Sequence, residues 1–130
     1  MPIGRIKVYE VRLQTFLNSR FSPVGKHLHK KGKLVERAAK AQVGVDTRRL
    51  RKSIHMRHFV SATGQYIKIT ASTPYALAHH QGTRPHIIIP KKGPVLRFTG
   101  KTGVSVHARI VRHPGTKPNR YLTDNLRLVL

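Results

Sequence analysis

Thr73-Pro74-Tyr75-Ala76-Leu77-Ala78-His79-His80-Gln81-Gly82-Thr83-Arg84-Pro85-His86-Ile87-Ile88-Ile89-Pro90 opens the segment from which the rest of the chain is read, and that segment closes at His113-Pro114-Gly115-Thr116-Lys117-Pro118. The tetrapeptide Gly-Thr-(Arg or Lys)-Pro therefore occurs twice, at 82–85 and 115–118. Its mechanics are legible residue by residue. Gly takes the left-handed conformation that stops a helix or turns a strand, and Pro forces the basic residue before it into an extended conformation. We read both copies as corners that set where a helix meets a sheet. Neither carries the acid, thiol or base of a catalytic set, so both are read as architecture.

Outward from those corners the elements follow. Ser72-Thr73-Pro74 starts a short helix over 74–81, which Gly82 ends. His86–Pro90 is an Ile-rich strand, Lys91-Lys92-Gly93-Pro94 a turn, and Val95–Phe98 the return, giving a basic hairpin over 86–103. Val104, Val106, Ala108 and Ile110 then alternate with Ser105, His107, Arg109 and Val111 as one half-buried strand. Asn119 caps a final helix, 119–130, with Tyr121, Leu122, Leu126, Val129 and Leu130 as its apolar stripe.

Upstream, residues 55–61 and 65–72 pair around Ala62-Thr63-Gly64, with Ile67, Ile69 and Ala71 on one face. Ser22-Pro23 is a helix start, Ser as N-cap and Pro at the first helical position. Val24, Leu28, Val35, Ala38, Ala39 and Gln42 give 22–42 an apolar face, narrow and weakened by Gly25 and Gly32. His27, Lys30, Lys31, Lys33, Arg37 and Lys40 make the outer face basic. Val43–Thr47 breaks this helix, and Asp46 or Thr47 caps a short turn carrying Leu50 and Ile54 inward. Residues 1–20, with Ile6, Val8, Val11, Leu13, Phe16 and Leu17, fit a helix or a strand equally. The fold class is α+β: one domain, 1–130, with a mainly antiparallel sheet over 55–112, a long helix in the N-terminal half, a short inserted helix and a C-terminal helix.

Charge narrows the function. Twenty-six Lys and Arg stand against four acids (Glu10, Glu36, Asp46, Asp124), for a net charge of +22. Twelve of the basic residues lie in 1–50 and fourteen in 51–130, so this is not a basic tail on a neutral body. Nucleic acid or an acidic partner is the natural counterpart. The chain has no Cys, which removes disulfides and thiolate metal sites. No apolar run approaches the ~18 residues of a membrane span, and no signal-peptide core is present, so a cytoplasmic protein without a membrane partner is expected.

Catalysis is poorly supplied. Nine histidines invite a metal, but His27 and His29 diverge on a helix, His79 and His80 are adjacent, and the acids that would complete a site are scarce. Scattered carboxylates suit neither nuclease nor glycosidase chemistry. No nucleophile elbow is present, and Gly100-Lys101-Thr102 lacks the glycine pattern of a phosphate-binding loop. We expect no enzyme and no cofactor. Lys30, Lys31, Lys33, Arg37, Arg48, Arg49, Arg51 and Lys52 are candidates for contact with DNA phosphates or an acidic partner. Four Tyr and four Phe, with no RNP, KH or helix-turn-helix signature, argue for contact without sequence readout.

The motifs in combination resemble a family. Val45-Asp46-Thr47-Arg48-Arg49-Leu50-Arg51-Lys52-Ser53-Ile54 is similar to the V-D-T-G-x-L-x-x-S-I segment of the small neck proteins of long-tailed bacteriophages, also called tail-completion or head–tail joining proteins. Tyr75-Ala76, Gly82–Ile88, Pro90-Lys91, Leu96-Arg97-Phe98 and His113–Pro118 follow in that family's order, so the resemblance covers roughly residues 33–128. It departs at Arg48, where the family has glycine and where the turn is therefore expected without positive φ. It departs again at His80-Gln81, where many relatives carry an acid.

The resemblance implies a structural protein of the virion neck, assembled in the host cytoplasm. Copies would form a ring, read as a hexamer, between the portal-side adaptor or stopper and the tail tube or tail terminator. Genomic double-stranded DNA would pass through the lumen. Inter-subunit or inter-ring contacts would then fall on Gly82, Thr83, Arg84, Pro85, His86, Lys91, Lys92, Arg97, His113, Gly115, Thr116, Lys117, Tyr121, Leu122 and Leu126. A domain of this length has a radius of gyration of ~14 Å, so a ring one subunit thick spans roughly 35 Å. That length of duplex carries roughly 20 phosphate charges, against on the order of 130 positive charges on six copies. Most basic residues would therefore face solvent or acidic neighbours rather than DNA.

Overall fold

The computed structural model describes residues 9–44, 48–100 and 102–130. They fall into two compact units, 9–76 with 120–130, and 77–119. The α+β reading holds; among the described residues every strand pairs antiparallel, although the pairing is spread over three two-stranded ribbons rather than one continuous sheet.

The first unit is built on α2 (Pro23–Gln42), which follows a short helix α1 (Glu10–Asn18). The helix start is the one the sequence announces: Pro23 opens the first turn, and the Ser22 hydroxyl accepts from the Gly25 N–H at 3.1 Å. Of the N-terminal segment, 10–18 is helical, while Ile6 and Val8 lie outside the described residues.

The buried face of α2 differs from the expected one. Gly25, Gly32, Val35 and Ala39 are buried, Leu28 is half-buried, and Gln42 is exposed. The glycines do not weaken this face; they are its closest contacts. A Cβ at Gly32 would come within 2.9 Å of Ile67 Cγ2 and 3.3 Å of Met56 Cγ, and one at Gly25 within 2.5 Å of the Arg20 carbonyl oxygen. Glycine lets the ribbon and the preceding turn approach the helix more closely than any side chain would allow.

That ribbon is β1 (Ile54–Ser61) with β2 (Gly64–Ala71), joined through Ala62-Thr63, in the register Ile54↔Ala71 to Ser61↔Gly64. Alternation puts Ile54, Met56, Ile67, Ile69 and Ala71 toward the helix. Phe59 and Tyr66 stack on the other face at 5.1 Å between ring centres. A short helix α3 (Arg49–Ser53) carries Leu50 and Ile54 inward, as the sequence indicates. Asp46 and Thr47, the expected caps, lie outside the described residues. The core is Ala39, Val43, Leu50, Ile54, Ala76 and Tyr121, with Ile69, Ala71 and Leu122 packed against it.

Arg48 corrects an expectation. It stands at φ 59° and ψ −3°, the left-handed conformation that a glycine would take without cost. The turn keeps its shape and the side chain bears the strain, about 1–2 kcal/mol for a non-glycine residue.

The C-terminal segment is also corrected. Asn119 does not cap a helix; its N–H donates to the His79 carbonyl at 3.2 Å within the second unit. The helical part is a short 3-10 turn, Asp124–Leu128, starting at Thr123 without a side-chain cap. The apolar stripe expected along a helix over 119–130 is therefore carried by one short 3-10 turn and the residues beside it.

In the second unit, α4 (Ala76–Gln81), whose first residue belongs to the first unit, ends at Gly82, with φ 74°. The hairpin expected over 86–103 does not form. β3 (His86–Ile88) pairs with β6 (Val111–His113), and β4 (Leu96–Thr99) pairs with β5 (Ser105–Ala108) inside it. Pro90 and Pro94 carry no N–H, so the chain beyond Ile88 cannot extend a ladder. The hairpin that does form is β4 with β5, where the Gly100 N–H donates to the Val104 carbonyl at 2.8 Å. The single strand expected over 104–111 is accordingly broken at Arg109-Ile110. Val104 and Ile110 are exposed rather than half-buried.

Candidate functional site

The two Gly-Thr-basic-Pro copies meet. Thr83 and Thr116 form an antiparallel bridge, the Thr83 N–H donating to the Thr116 carbonyl at 3.1 Å and the Thr116 N–H to the Thr83 carbonyl at 3.0 Å. Their hydroxyls lie 3.1 Å apart. The bridge shares the register of His86↔His113 and Ile87↔Arg112, so it continues the β3–β6 ladder past the prolines.

Each glycine makes room for the opposite copy. Gly82 and Gly115 have φ 74° and 87°. A Cβ at Gly82 would stand 2.5 Å from the Thr116 carbonyl oxygen and 2.8 Å from Pro118 N. One at Gly115 would overlap the Thr83 carbonyl oxygen and lie 3.0 Å from Pro85 N. Each Pro, having no N–H, adds no donor to the ladder beside the bridge. Four residue types, used twice, thus form one clamp at the root of the nested ribbons.

Beside the clamp the His86 and His113 rings stack at 4.9 Å with 26° between their planes. Their Nδ1 atoms have opposite roles. His113 Nδ1 accepts from the Gly115 N–H at 3.0 Å, and His86 Nδ1, 2.9 Å from the Arg84 carbonyl, must donate. Arg84, Pro85, His86, Thr116 and Lys117 are exposed, so the clamp presents two cations and an imidazole to solvent. Lys91 and Lys92 lie exposed in the 89–95 loop, and Arg97 sits exposed on β4 opposite His107. Sequence inspection singles out both tetrapeptides but not their pairing; the repeat itself is the signal that could have suggested it.

In the first unit, Lys30, Lys31, Lys33 and Arg37 come together on α2, where with His27 and Leu34 they line a shallow depression. Lys33 is partly committed: its Nζ is 2.8 Å from Glu36 Oε2, and Lys40 Nζ is 2.8 Å from Glu36 Oε1. Glu36 is itself buried. Burial pushes its carboxyl up, but the hydrogen bonds and charges of Lys33 and Lys40 outweigh that, and the group is held below its ordinary value. The i, i+3 and i, i+4 spacing of Lys33, Glu36 and Lys40 is the sequence signal for this pairing. Arg48, Arg49, Arg51 and Lys52 are exposed on and beside α3.

Tyr121, expected on a contact surface, is 1% exposed and donates its hydroxyl to the Ala76 carbonyl at 3.3 Å. Burial pushes its phenol up. Leu122 packs on the core, and Leu126 is exposed. Among the described residues no cluster of three or more His, Asp or Glu side chains could hold a metal ion, and no helix is long and apolar enough to cross a membrane. Comparison with protein-family models, with curated proteins and with solved structures finds no match to this chain.

Proposed function

We propose that this chain is a structural protein of a tailed-phage virion, working in the neck as a ring that joins the head connector to the tail tube around the DNA channel. The observation that carries the reading is the clamp. Two of the motif segments on which the resemblance rests, Gly82–Ile88 and His113–Pro118, meet in one piece of architecture, with both threonines spent on backbone pairing and both glycines on making room for the opposite copy. A net charge of +22 supports partners that are acidic or carry phosphate. The ring, read as a hexamer, would contact the adaptor or stopper on one side and the tube or terminator on the other. The experiment is deletion of the coding sequence from a phage that carries it. Filled heads and free tails that fail to join, restored by supplying the protein in trans, are expected. Normal particles would overturn the reading.

A second reading has its own support in the exposed Arg49, Arg51 and Lys52 of α3 and Lys30 and Arg37 of α2. These suit a charge-driven nucleic-acid-binding protein. A monomer with tight RNA binding that weakens steeply with salt would favour it over the ring.

A further inference from the structure

Within the first unit, α2, β2 and the C-terminal 3-10 turn enclose an open groove of about 500 Å³. Its walls are apolar: Leu28, Val35, Ile67, Leu122, Leu126 and Val129. It opens beside the core: Leu122 also packs on the core, while Leu28 and Ile67 are only half-buried and Leu126 is 47% exposed. The groove is of the size that takes a ligand's apolar side chains.

What borders it is cationic. His27 and Lys31 line the groove and also line the depression that continues along α2 past Lys30 and Arg37. Among the described residues no carboxylate lines either surface. Glu36, the one acid on that helix, is buried and already engaged by Lys33 and Lys40. A second copy of this chain has four acids in all against twenty-six Lys and Arg, too few carboxylates to match this rim, so self-association through this groove is the wrong occupant. A single-headed anion, such as a fatty acid, would satisfy Lys31 and leave Lys30 and Arg37 without a counterpart. A ligand with repeated carboxylates along one side and repeated apolar side chains along the other satisfies both surfaces.

We propose that this groove docks an acidic amphipathic helix of a partner protein. Its leucine-like residues would enter between α2 and the C-terminal turn, and its carboxylates would meet His27, Lys30, Lys31 and Arg37. The inference stands apart from the virion reading, because it concerns the chemistry of one surface and its test needs no phage.

The probe is a fluorescein-labelled synthetic peptide with Leu at i, i+3, i+4 and i+7 and Glu elsewhere, titrated with the full-length chain and followed by fluorescence anisotropy. Its scrambled form and oleate are the comparisons. Lys31→Glu and, separately, Leu126→Glu are each expected to weaken binding about tenfold or more, while Arg57→Glu, the same charge change on the opposite face of the ribbon, leaves it within about twofold. Circular dichroism melts confirm that each variant folds; Lys31→Glu alters a partly exposed side chain and decides the matter should Leu126→Glu not fold. Equal binding of the scrambled peptide, equal loss on Arg57→Glu, binding of oleate but not the peptide, or no binding at all would each overturn the proposal.

Discussion

Thr83 and Thr116 bond to each other through both backbone and side chain, with N–H to carbonyl distances of 3.1 and 3.0 Å and hydroxyl oxygens 3.1 Å apart. Each stands at the second position of its own Gly-Thr-basic-Pro copy. The relationship makes the two copies one structural object, and its glycines are its most exposed weakness.

Gly115→Ala and Gly82→Ala should each open the clamp. The backbone is left-handed at both sites, and a Cβ would overlap the opposite strand. The cost should be about 2–3 kcal/mol, combining the left-handed penalty with the clash. Gly93→Ala, at positive φ but facing open space, should cost about 1 kcal/mol. Hydrogen exchange at the Thr83 and Thr116 amides distinguishes them: protection is lost in the first two variants and kept in the third.

Arg48→Gly should stabilise the first unit. The residue is held at φ 59°, and among the described residues no bond to its side chain repays the strain. Glycine's greater freedom in the unfolded chain takes back part of the gain, leaving about 0.5–1 kcal/mol. Urea denaturation of the two chains measures it.

Gly32→Ala tests whether helix propensity or packing decides at the centre of α2. Alanine gains about 1 kcal/mol as a helix former. The methyl would press on the Ile67 side chain, 2.9 Å away, whose branched Cβ leaves it little room to turn. We expect packing to win by about 1 kcal/mol net destabilisation. Combined with Ile67→Ala, the clash is relieved, and the double mutant should be more stable than the sum of the singles implies.

Glu36→Gln should change how stability responds to acid. The carboxyl is held below its ordinary value of 4.5 in the folded chain. Its contribution is therefore fully present above that value and is lost as pH falls through the lower folded value. Wild-type stability should decline on acidification below about pH 4.5, and the variant should be flatter there. At neutral pH the variant should lose about 1 kcal/mol, a figure kept small because water screens the half-exposed Lys33. Thermal melts across the acid range give both results.

Elements set by neighbours in the chain could be read without coordinates. Ser22-Pro23 starts α2 and Gly82 ends α4, because a cap hydroxyl, a fixed φ and a left-handed glycine act on atoms a few residues away. The Ala62-Thr63 hairpin and the inward Leu50 and Ile54 were legible for the same reason. Misreadings came where a partner distant in sequence decided. Gly25 and Gly32 looked like defects because their value lies in Arg20 and Ile67, which only the fold brings near. The strands after Pro85 alternate well enough to suggest a local hairpin, but β3 takes β6, and no periodicity within one strand names its mate.

By itself, then, the order of residues settled the class of the fold, the limits of its main helix, the cationic character of its surface and the two glycine corners. All of these are consequences of local torsions and of composition. Tertiary structure alone decided that the two corners are halves of one clamp, that Tyr121 belongs inside and that the turn at Arg48 holds its left-handed shape without glycine. The physical reason is common to the three: the free energy of each is set by contacts or strain that exist only once distant segments have closed on one another.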